Sequence, residues 1–401
     1  MKPITISKDA GGRHGSLSTN LVASTGWEGV KRYFQRLLFV FLLAALANPS
    51  ETRALIINAT FDSTITSDPN AAAIESTINS AIAVYEADFS DPITVNFTFK
   101  EVNTGLAGSF TQTVSVSYAS FLNALNSHAK TVDDAIGLAS LPGGPNNPVN
   151  GNSQIVLKTA LARALGYSAT PSVPDSTISL NVSIMNITSS NPNTNFYSLF
   201  SAVSHEMDEG LGFGGGLNGL TNGAAAPTGI AVQPMDLFRY DQNGNRSWTT
   251  ALNAAAYFSL DGVNDLVRFN QLQGGDFEDW YSSPVTPPTQ VYPAPEVQDA
   301  FGTPGSFPVL GVELRVLDAI GYSYSPGYQA GTVWVNYSFG GSQNGTYQNP
   351  YATLAQGISA VTSGGTVAIN AISQPSHSPS AVTISKAMTI TSVNGPTTIG
   401  Q

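Results

Sequence analysis

Two periodicities alternate along residues 55–325, one typical of half-buried strands and one typical of amphipathic helices. In residues 93–99 every second position is apolar, which predicts a strand with one buried face. A helix capped by Asp68, with Pro69 at its first position, is predicted to carry one inward stripe: Ile74, Ile78, Ile82 and Tyr85. The succession of strand and helix patterns predicts a single α+β domain over residues 55–325.

A longer helix is predicted over residues 194–211. Its apolar side chains recur at spacings of four, three, four and four and form a buried stripe: Phe196, Phe200, Val203, Met207 and Leu211. His205, Asp208 and Glu209 fall on a different face, because positions i, i+3 and i+4 are neighbours on a helix surface. We therefore expect the stripe to anchor the helix on the sheet and these three polar groups to face a cleft.

Residues 329–401 read as a separate segment after Pro326 and Gly327. Short strand-like runs recur there between glycine-rich turns: residues 332–335, 366–369, 382–384 and 388–390. Short strands at regular spacing predict the first coils of a parallel β-helix. Such a solenoid needs at least about three coils to bury a continuous core, so we expect this segment to be incomplete or completed by another chain.

The first 47 residues predict a signal peptide. Lys31, Arg32 and Arg36 precede an apolar run over residues 37–47, which ends in a small-x-small motif suited to cleavage. An apolar run of about a dozen residues is too short to span a bilayer comfortably. Secretion, to the medium or the cell surface, is therefore expected, and a short buried helix is the alternative.

Charge and composition exclude several classes of function. The chain has 16 Lys and Arg against 27 Asp and Glu; residues 1–47 hold six and two of these, which leaves 10 against 25, a net charge of −15. A chain this acidic is not suited to bind nucleic acid or an anionic membrane surface. The absence of Cys excludes disulfides, thiolate metal sites and a cysteine nucleophile.

The strongest candidate for catalytic chemistry is the run from His205 to Glu209. A helical His-Glu-x-x-His motif places two imidazoles on one face to bind a metal, and its Glu activates water. Here Glu209 occupies the second histidine position. We expect Glu206 to be the general base that takes a proton from metal-bound water, which then attacks an amide carbonyl.

The supply of histidine limits the ligand set. After residue 47 the only histidines are His128, His205 and His377, which nearly excludes a three-histidine zinc site. The predicted metal ligands are therefore one imidazole and neighbouring acids: His205, Glu209, Asp208 and, from outside the helix, Asp236. Such a set suits zinc, whereas its oxygen content leaves manganese or calcium open. The alternative is a solvated acidic helix face without a metal.

Three segments together resemble a family of exported bacterial metalloproteases that are distantly similar to metzincins: residues 204–212, 236–240 and 317–322. The resemblance implies a zincin-like fold, with a mixed sheet and a central active-site helix, a zinc cofactor and peptide hydrolysis. By position it implies His205 as first ligand, Glu206 as base, Glu209 in the second ligand place and Gly212 as the turn glycine. Gly215 stands where the third histidine belongs, and no methionine near residue 317 provides a Met-turn.

The C-terminal segment is similar to the opening of pectate-lyase-like right-handed β-helices, through residues 349–354 and 364–367. Such solenoids often bind or cleave polysaccharide, so a polysaccharide contact is an expected partner besides a peptide or protein substrate. The leading hypothesis is a secreted metal-dependent peptidase. The alternatives are a non-catalytic exported protein that binds a surface or polysaccharide on the same fold, and a carbohydrate-active enzyme.

Overall fold

A computed structural model describes most of the chain beyond the predicted signal peptide: residues 55–170, 174–218, 231–252, 254–282, 295–324, 332–345, 349–371, 377–378, 381–393 and 397–400. Residues 1–54 lie outside this description, so the signal peptide stays a prediction. The same holds for the predicted domain boundary, because residues 325–331 also lie outside the described residues.

Strands and helices alternate through the first part of the chain: β1 (Ile56–Phe61), α1 (Ser63–Thr66), α2 (Ala71–Asp88), β2 (Thr94–Glu101), β3 (Ala107–Thr111), β4 (Thr113–Ser117), α3 (Tyr118–His128), α4 (Val132–Ser140), β5 (Gln154–Lys158), α5 (Thr159–Ala164) and β6 (Ser176–Leu180). Shorter strands and two further helices follow: β7 (Met185–Asn186), β8 (Tyr197–Ser198), α6 (Leu199–Leu211), β9 (Arg239–Tyr240), β10 (Tyr257–Ser259), β11 (Asp265–Arg268) and α7 (Val312–Ile320). The described helices include none that is both long and apolar enough to cross a membrane.

The main sheet has the order β1-β2-β6-β3. Strands β1, β2 and β6 are parallel, and β3 pairs antiparallel with β6 at one edge. The predicted alternation holds in β2, where Val95, Phe97 and Phe99 are buried. Together with small separate sheets, among them β4-β5 and β9-β10-β11, this arrangement confirms the prediction of a mixed α+β fold.

Helix α6 packs against β3 and β6 of the main sheet and against α2. Of the five predicted stripe residues, Val203, Met207 and Leu211 are fully buried, whereas Phe200 is partly exposed and Phe196 precedes the helix. Gly210 lies so close to the sheet that a Cβ there would be 2.8 Å from the ring of Phe97, which requires a residue without a side chain. The helix is therefore held at a short, fixed distance from the sheet.

The predicted start of α6 at residue 194 is wrong by five residues. Tyr197 and Ser198 are instead paired with β7, and the Ser198 hydroxyl accepts a hydrogen bond from the amide of Ser201 at 3.1 Å, which caps the helix. The predicted cap of α2 is also wrong. Asp68 accepts from the amide of Asn70 in a turn, and the helix begins at Ala71, although its predicted stripe is buried as expected.

The C-terminal segment contains β12 (Val333–Val335), α8 (Leu354–Ala360), β13 (Thr366–Asn370), β14 (His377–Ser378), β15 (Thr389–Val393) and β16 (Thr398–Ile399). Strands β12, β13 and β15 form a parallel sheet in which Val333, Val367 and Ile390 are in register. A predicted strand over residues 382–384 is absent from the described structure there. Trp334 and Ala368 pack against Ala135 of α4, so this segment contacts the preceding fold.

Candidate metal centre

Three side chains meet at the outer face of α6. His205 Nε2 lies 3.9 Å from Glu209 Oε1, one helical turn later, and 3.7 Å from Asp279 Oδ2. One potential ligand atom from each of these three residues lies within 4.8 Å of the other two. The i, i+4 pair was expected from the helical spacing, whereas Asp279 comes from the irregular chain after β11.

The imidazole of His205 is oriented by the backbone. Its Nδ1 lies 3.0 Å from the carbonyl oxygen of Val297, and since a carbonyl only accepts, Nδ1 carries the proton. In the neutral ring the lone pair is then on Nε2, which faces Glu209 and Asp279. A histidine held in one tautomer by a backbone carbonyl is the usual arrangement of a metal-ligating imidazole.

Glu209 is held between α6 and the edge of the main sheet. The hydroxyl of Ser109, on β3, donates a hydrogen bond to Glu209 Oε2. This bond occupies one carboxylate oxygen and leaves Oε1 on the side of His205. The sheet edge thereby fixes which oxygen can act as a ligand.

Asp279 is positioned by the residue that follows it. Trp280 is buried among aromatic rings, and its indole Nε1 donates to Glu313 Oε1 at 3.0 Å. Its amide donates to the carbonyl of Gln298 at 2.7 Å. Because residues 297 and 298 thus bind both His205 and Trp280, the histidine and the aspartate are tied to the same short piece of backbone.

Glu206 lines the same cleft and is only 5% exposed. Within the described residues its Oε2 has no hydrogen-bond partner. Burial raises the pKa of Glu206 well above its usual value, and the nearby charge of Glu209 raises it further. Burial likewise raises the pKa of Asp279, to which the charges of Glu209 and Asp276 add. These acids are crowded together, so the charge of one disfavours the ionised form of the next.

The cleft has a volume of about 430 Å³. Its lining includes six acids: Glu206, Glu209, Asp276, Asp279, Glu296 and Asp299. Its described lining residues include no Lys or Arg. Burial raises the pKa of both Glu296 and Asp299 to about 7. Burial lowers the pKa of Lys158. The nearby negative charge of Glu209 partly offsets this lowering.

These residues fit a divalent cation. One imidazole nitrogen and two carboxylate oxygens are a donor set that zinc accepts, and Glu206, whose Oε2 has no hydrogen-bond partner within the described part of the chain, lines the same cleft. Ligand atoms around tetrahedral zinc are about 3.3 Å apart, whereas His205 Nε2 lies 3.9 and 3.7 Å from the two acid oxygens and all three ligand atoms lie within 4.8 Å of one another, so the side chains must move closer together to bind the ion. The oxygen-rich set also suits manganese or calcium.

Asp208 does not face the cleft, contrary to the prediction. It is fully buried, and its Oδ1 accepts a hydrogen bond at 2.8 Å from the hydroxyl of Tyr85 on α2. The same hydroxyl also lies 2.8 Å from the carbonyl oxygen of Ser204. Asp208 therefore joins α6 to α2 on the inner side of the helix, and burial raises its pKa well above the usual value.

Asp236 is not brought to the three-residue group either. It lies in the 3₁₀ helix Pro234–Phe238 and is buried, and its Oδ2 accepts from the amides of Gln233 at 2.7 Å and Gly216 at 3.0 Å. Its position after the glycine turn was the reason to expect a ligand. Asp236 instead stabilises that turn through its hydrogen bond with the amide of Gly216.

Asp279 is the member of the site that the sequence did not reveal. The signal that was available is a run of three acids, Asp276, Glu278 and Asp279, between two glycines and a tryptophan. In a chain with only 27 acids such density marks a segment where carboxylates are brought together.

The chain was compared with protein-family models, with curated proteins and with solved structures, and none of the three comparisons gave a match. The resemblance to exported metalloproteases therefore stays a prediction.

Proposed function

We propose that the protein is a secreted metal-dependent peptidase with a zincin-like catalytic domain. The observation that carries the proposal is the convergence of His205 Nε2 with oxygens of Glu209 and Asp279, all within 4.8 Å of one another. The orientation of His205 by the Val297 carbonyl supports it, as does the Oε2 of Glu206, which has no hydrogen-bond partner among the described residues. The ligands are then His205, Glu209 and Asp279, with zinc as the first candidate cation and manganese or calcium as alternatives.

Each residue has a chemical role in this proposal. A divalent cation bound there would supply Lewis-acid activation of a water molecule and of the scissile carbonyl. Glu206 takes the proton that water releases as its oxygen attacks the carbonyl carbon, and later gives that proton to the leaving amine. A raised pKa suits this work, because a base is most effective when its pKa lies near the operating pH.

A peptide suits the cleft because of the edge strand beside it. β3 is the terminal strand of the main sheet, and Ala107, Gly108 and Ser109 of this strand line the cleft. An extended peptide can pair with the free backbone groups of such an edge, which would hold its amides in line beside the metal ligands. This feature favours a peptide over a sugar as the substrate of the cleft.

The rest of the chain extends the proposal. The run of Lys31, Arg32 and Arg36 before residues 37–47 supports export. The parallel register of β12, β13 and β15 supports a β-helix, for which we propose a polysaccharide contact. N-terminal sequencing of the protein recovered from the medium tests the first point, since cleavage near residue 47 is expected.

The central experiment combines metal analysis with an assay of peptide hydrolysis. Purified protein is expected to contain about one transition-metal ion per chain and to cleave casein in a reaction that a chelator stops and added metal restores. Glu206→Gln is expected to keep the metal and lower kcat by about 10²- to 10⁴-fold, because only the proton acceptor is lost.

A matched control is Glu75→Gln on α2, which removes a carboxylate of the same size away from the cleft and is expected to leave turnover unchanged. The peptidase proposal fails if the wild-type protein binds no metal in stoichiometric amount, or if Glu206→Gln cleaves casein at the wild-type rate. A metal-free, inactive wild-type protein that binds polysaccharide would favour the alternative of a non-catalytic exported binding protein, for which the parallel C-terminal sheet is the supporting observation.

A further inference from the structure

A buried arginine lies behind the acid-bearing segment of the site. Arg239, at the start of β9, is fully buried, and its Nη1 donates to the carbonyl oxygen of Phe277 at 2.6 Å. Its guanidinium carbon lies 4.4 Å from the centre of the Phe269 ring. A buried guanidinium is costly unless its charge is compensated, and the compensating charges are those of Glu278 and Asp236.

The two acids bind the turn that follows α6. Asp236 Oδ2 accepts from the amide of Gly216 at 3.0 Å, and Glu278 Oε1 accepts from the amide of Leu217 at 3.2 Å. At Gly215 a Cβ would lie 2.3 Å from Asp236 Oδ1 and 2.5 Å from Glu278 Cγ. No side chain fits there, which gives a physical reason why this position holds no third histidine.

The acid-bearing segment is fastened to the same turn by its backbone. The Oδ1 of Asn218 accepts from the amides of Phe277 at 2.9 Å and Glu278 at 3.3 Å. Glu278 is then directed inward and is 1% exposed, whereas its neighbours Asp276 and Asp279 line the cleft. Contacts to the carbonyl of residue 277 and to the side chain of residue 278 therefore determine where the two flanking carboxylates lie.

We propose that Arg239, Asp236 and Glu278 form a buried cluster, the Arg239 cluster, that positions Asp279 in the metal centre and Asp276 in the lining of the cleft. Arg239 acts as a positioning residue, because it holds the acid-bearing segment by its hydrogen bond to the backbone carbonyl of Phe277 and by its charge opposite Glu278. The proposal rests on the proposed function in that Asp279 is taken as a metal ligand. In this proposal Asp236 does not bind the metal. It helps to hold the segment that carries the ligand Asp279, through Arg239 and the turn after α6.

The test compares two arginines that each donate to backbone carbonyls and lie over an aromatic ring, although Arg239 is fully buried and Arg246 is partly exposed. Arg239→Met removes the charge and the bond to Phe277 while keeping most of the side-chain volume. Arg246→Met is the control, because Arg246 also donates to backbone carbonyls, of Leu237 and Ser140, and lies 5.0 Å from a ring centre, that of Tyr240. The readouts are amide hydrogen exchange of residues 270–282 in the metal-free protein and binding of Co²⁺ followed by its visible absorption.

Arg239→Met is expected to speed exchange in residues 270–282, to weaken Co²⁺ binding by about 10- to 100-fold and to change the Co²⁺ spectrum, as loss of a positioned ligand does. Arg246→Met is expected to do none of these. If Arg239→Met does not fold, Arg239→Lys, which keeps the charge but not the planar donor, is expected to show the same changes to a smaller degree.

Wild-type exchange over residues 270–282 in the folded Arg239→Met protein would overturn the positioning role, whatever the metal does. Faster exchange with an unchanged Co²⁺ spectrum would overturn the link between the Arg239 cluster and the metal. Absence of any Co²⁺ binding by the wild-type protein would instead count against the proposed function, and the exchange experiment would still decide whether the cluster holds the segment.

Discussion

Two adjacent acids on α6, Asp208 and Glu209, are expected to have different roles. Asp208 stabilises the fold through its bond with Tyr85, whereas Glu209 binds the proposed metal ion. Tyr85→Phe removes the hydroxyl that donates to Asp208 Oδ1 and lies 2.8 Å from both Asp208 Oδ1 and the Ser204 carbonyl. Both Tyr85 and Asp208 are fully buried, and Asp208 Oδ2 already lacks a partner within the described residues. A buried carboxyl that loses its donor costs about 1–3 kcal/mol.

Since about 1 kcal/mol lowers Tm by roughly 2–4 °C in a domain of this size, Tyr85→Phe is expected to lower the Tm of the metal-free protein by about 2–12 °C. Its metal affinity should remain that of the wild type. Glu209→Gln, on the outer face, is the matched variant. It should weaken metal binding by at least about 10-fold, the lower end of the loss seen when only a supporting group is removed.

The assay is thermal unfolding followed by circular dichroism in the presence of a chelator, together with metal titration of each variant. Glu209→Gln is expected to leave the metal-free Tm unchanged or to raise it, because one negative charge leaves a crowded cleft. The assignment of faces would be refuted if Tyr85→Phe weakened metal binding as much as Glu209→Gln, or if Tyr85→Phe left Tm unchanged.

Two further predictions concern the close approach at the turn and the raised pKa values of the cleft. Gly215→Ala should lower the free energy of unfolding by about 1–3 kcal/mol, because the added Cβ would overpack against Asp236. Gly143→Ala is the control and should be neutral, because its Cβ would meet nothing within 4 Å. Equal stabilities of the two variants in urea unfolding would contradict the close approach at Gly215. The pKa of Asp299 is raised from 3.8 to about 7, chiefly by burial, so between these pH values the folded protein binds more protons than the unfolded chain, and stability falls as pH rises. The metal-free protein should therefore have a higher Tm at pH 5 than at pH 8, and Asp299→Asn should reduce that difference; a difference of the opposite sign, or one that Asp299→Asn leaves intact, would argue against this origin.

Features that depend on local periodicity were predictable from the sequence. The buried stripe of α2 and the alternation in β2 follow from side chains that repeat along one face, and both are buried as expected. In each case the pattern that marks the element is contained within the element itself.

Features that depend on tertiary contacts were not predictable in this way. Asp208 and Glu209 are neighbours at the edge of a helix face, and only the hydroxyl of Tyr85, on another helix, gives Asp208 a reason to be buried. Asp279 follows Glu209 by 70 positions, and it reaches His205 because Trp280 is packed and hydrogen-bonded to Glu313. Sequence spacing could not predict that His205 and Asp279 lie close together, because their proximity depends on how Trp280 packs in the folded protein.

The acidic lining of the cleft has a consequence for autolysis. Beyond residue 47 the chain itself carries 25 acids against 10 Lys and Arg. Like charges repel most strongly at low ionic strength. The acidic cleft of one copy would therefore repel the acidic chain of another, and the two copies would associate slowly. If the cleft hydrolyses peptides as proposed, one copy of the protein would cleave another only slowly. Added salt would screen the repulsion, speed this autolysis and shorten the lifetime of the protein in storage.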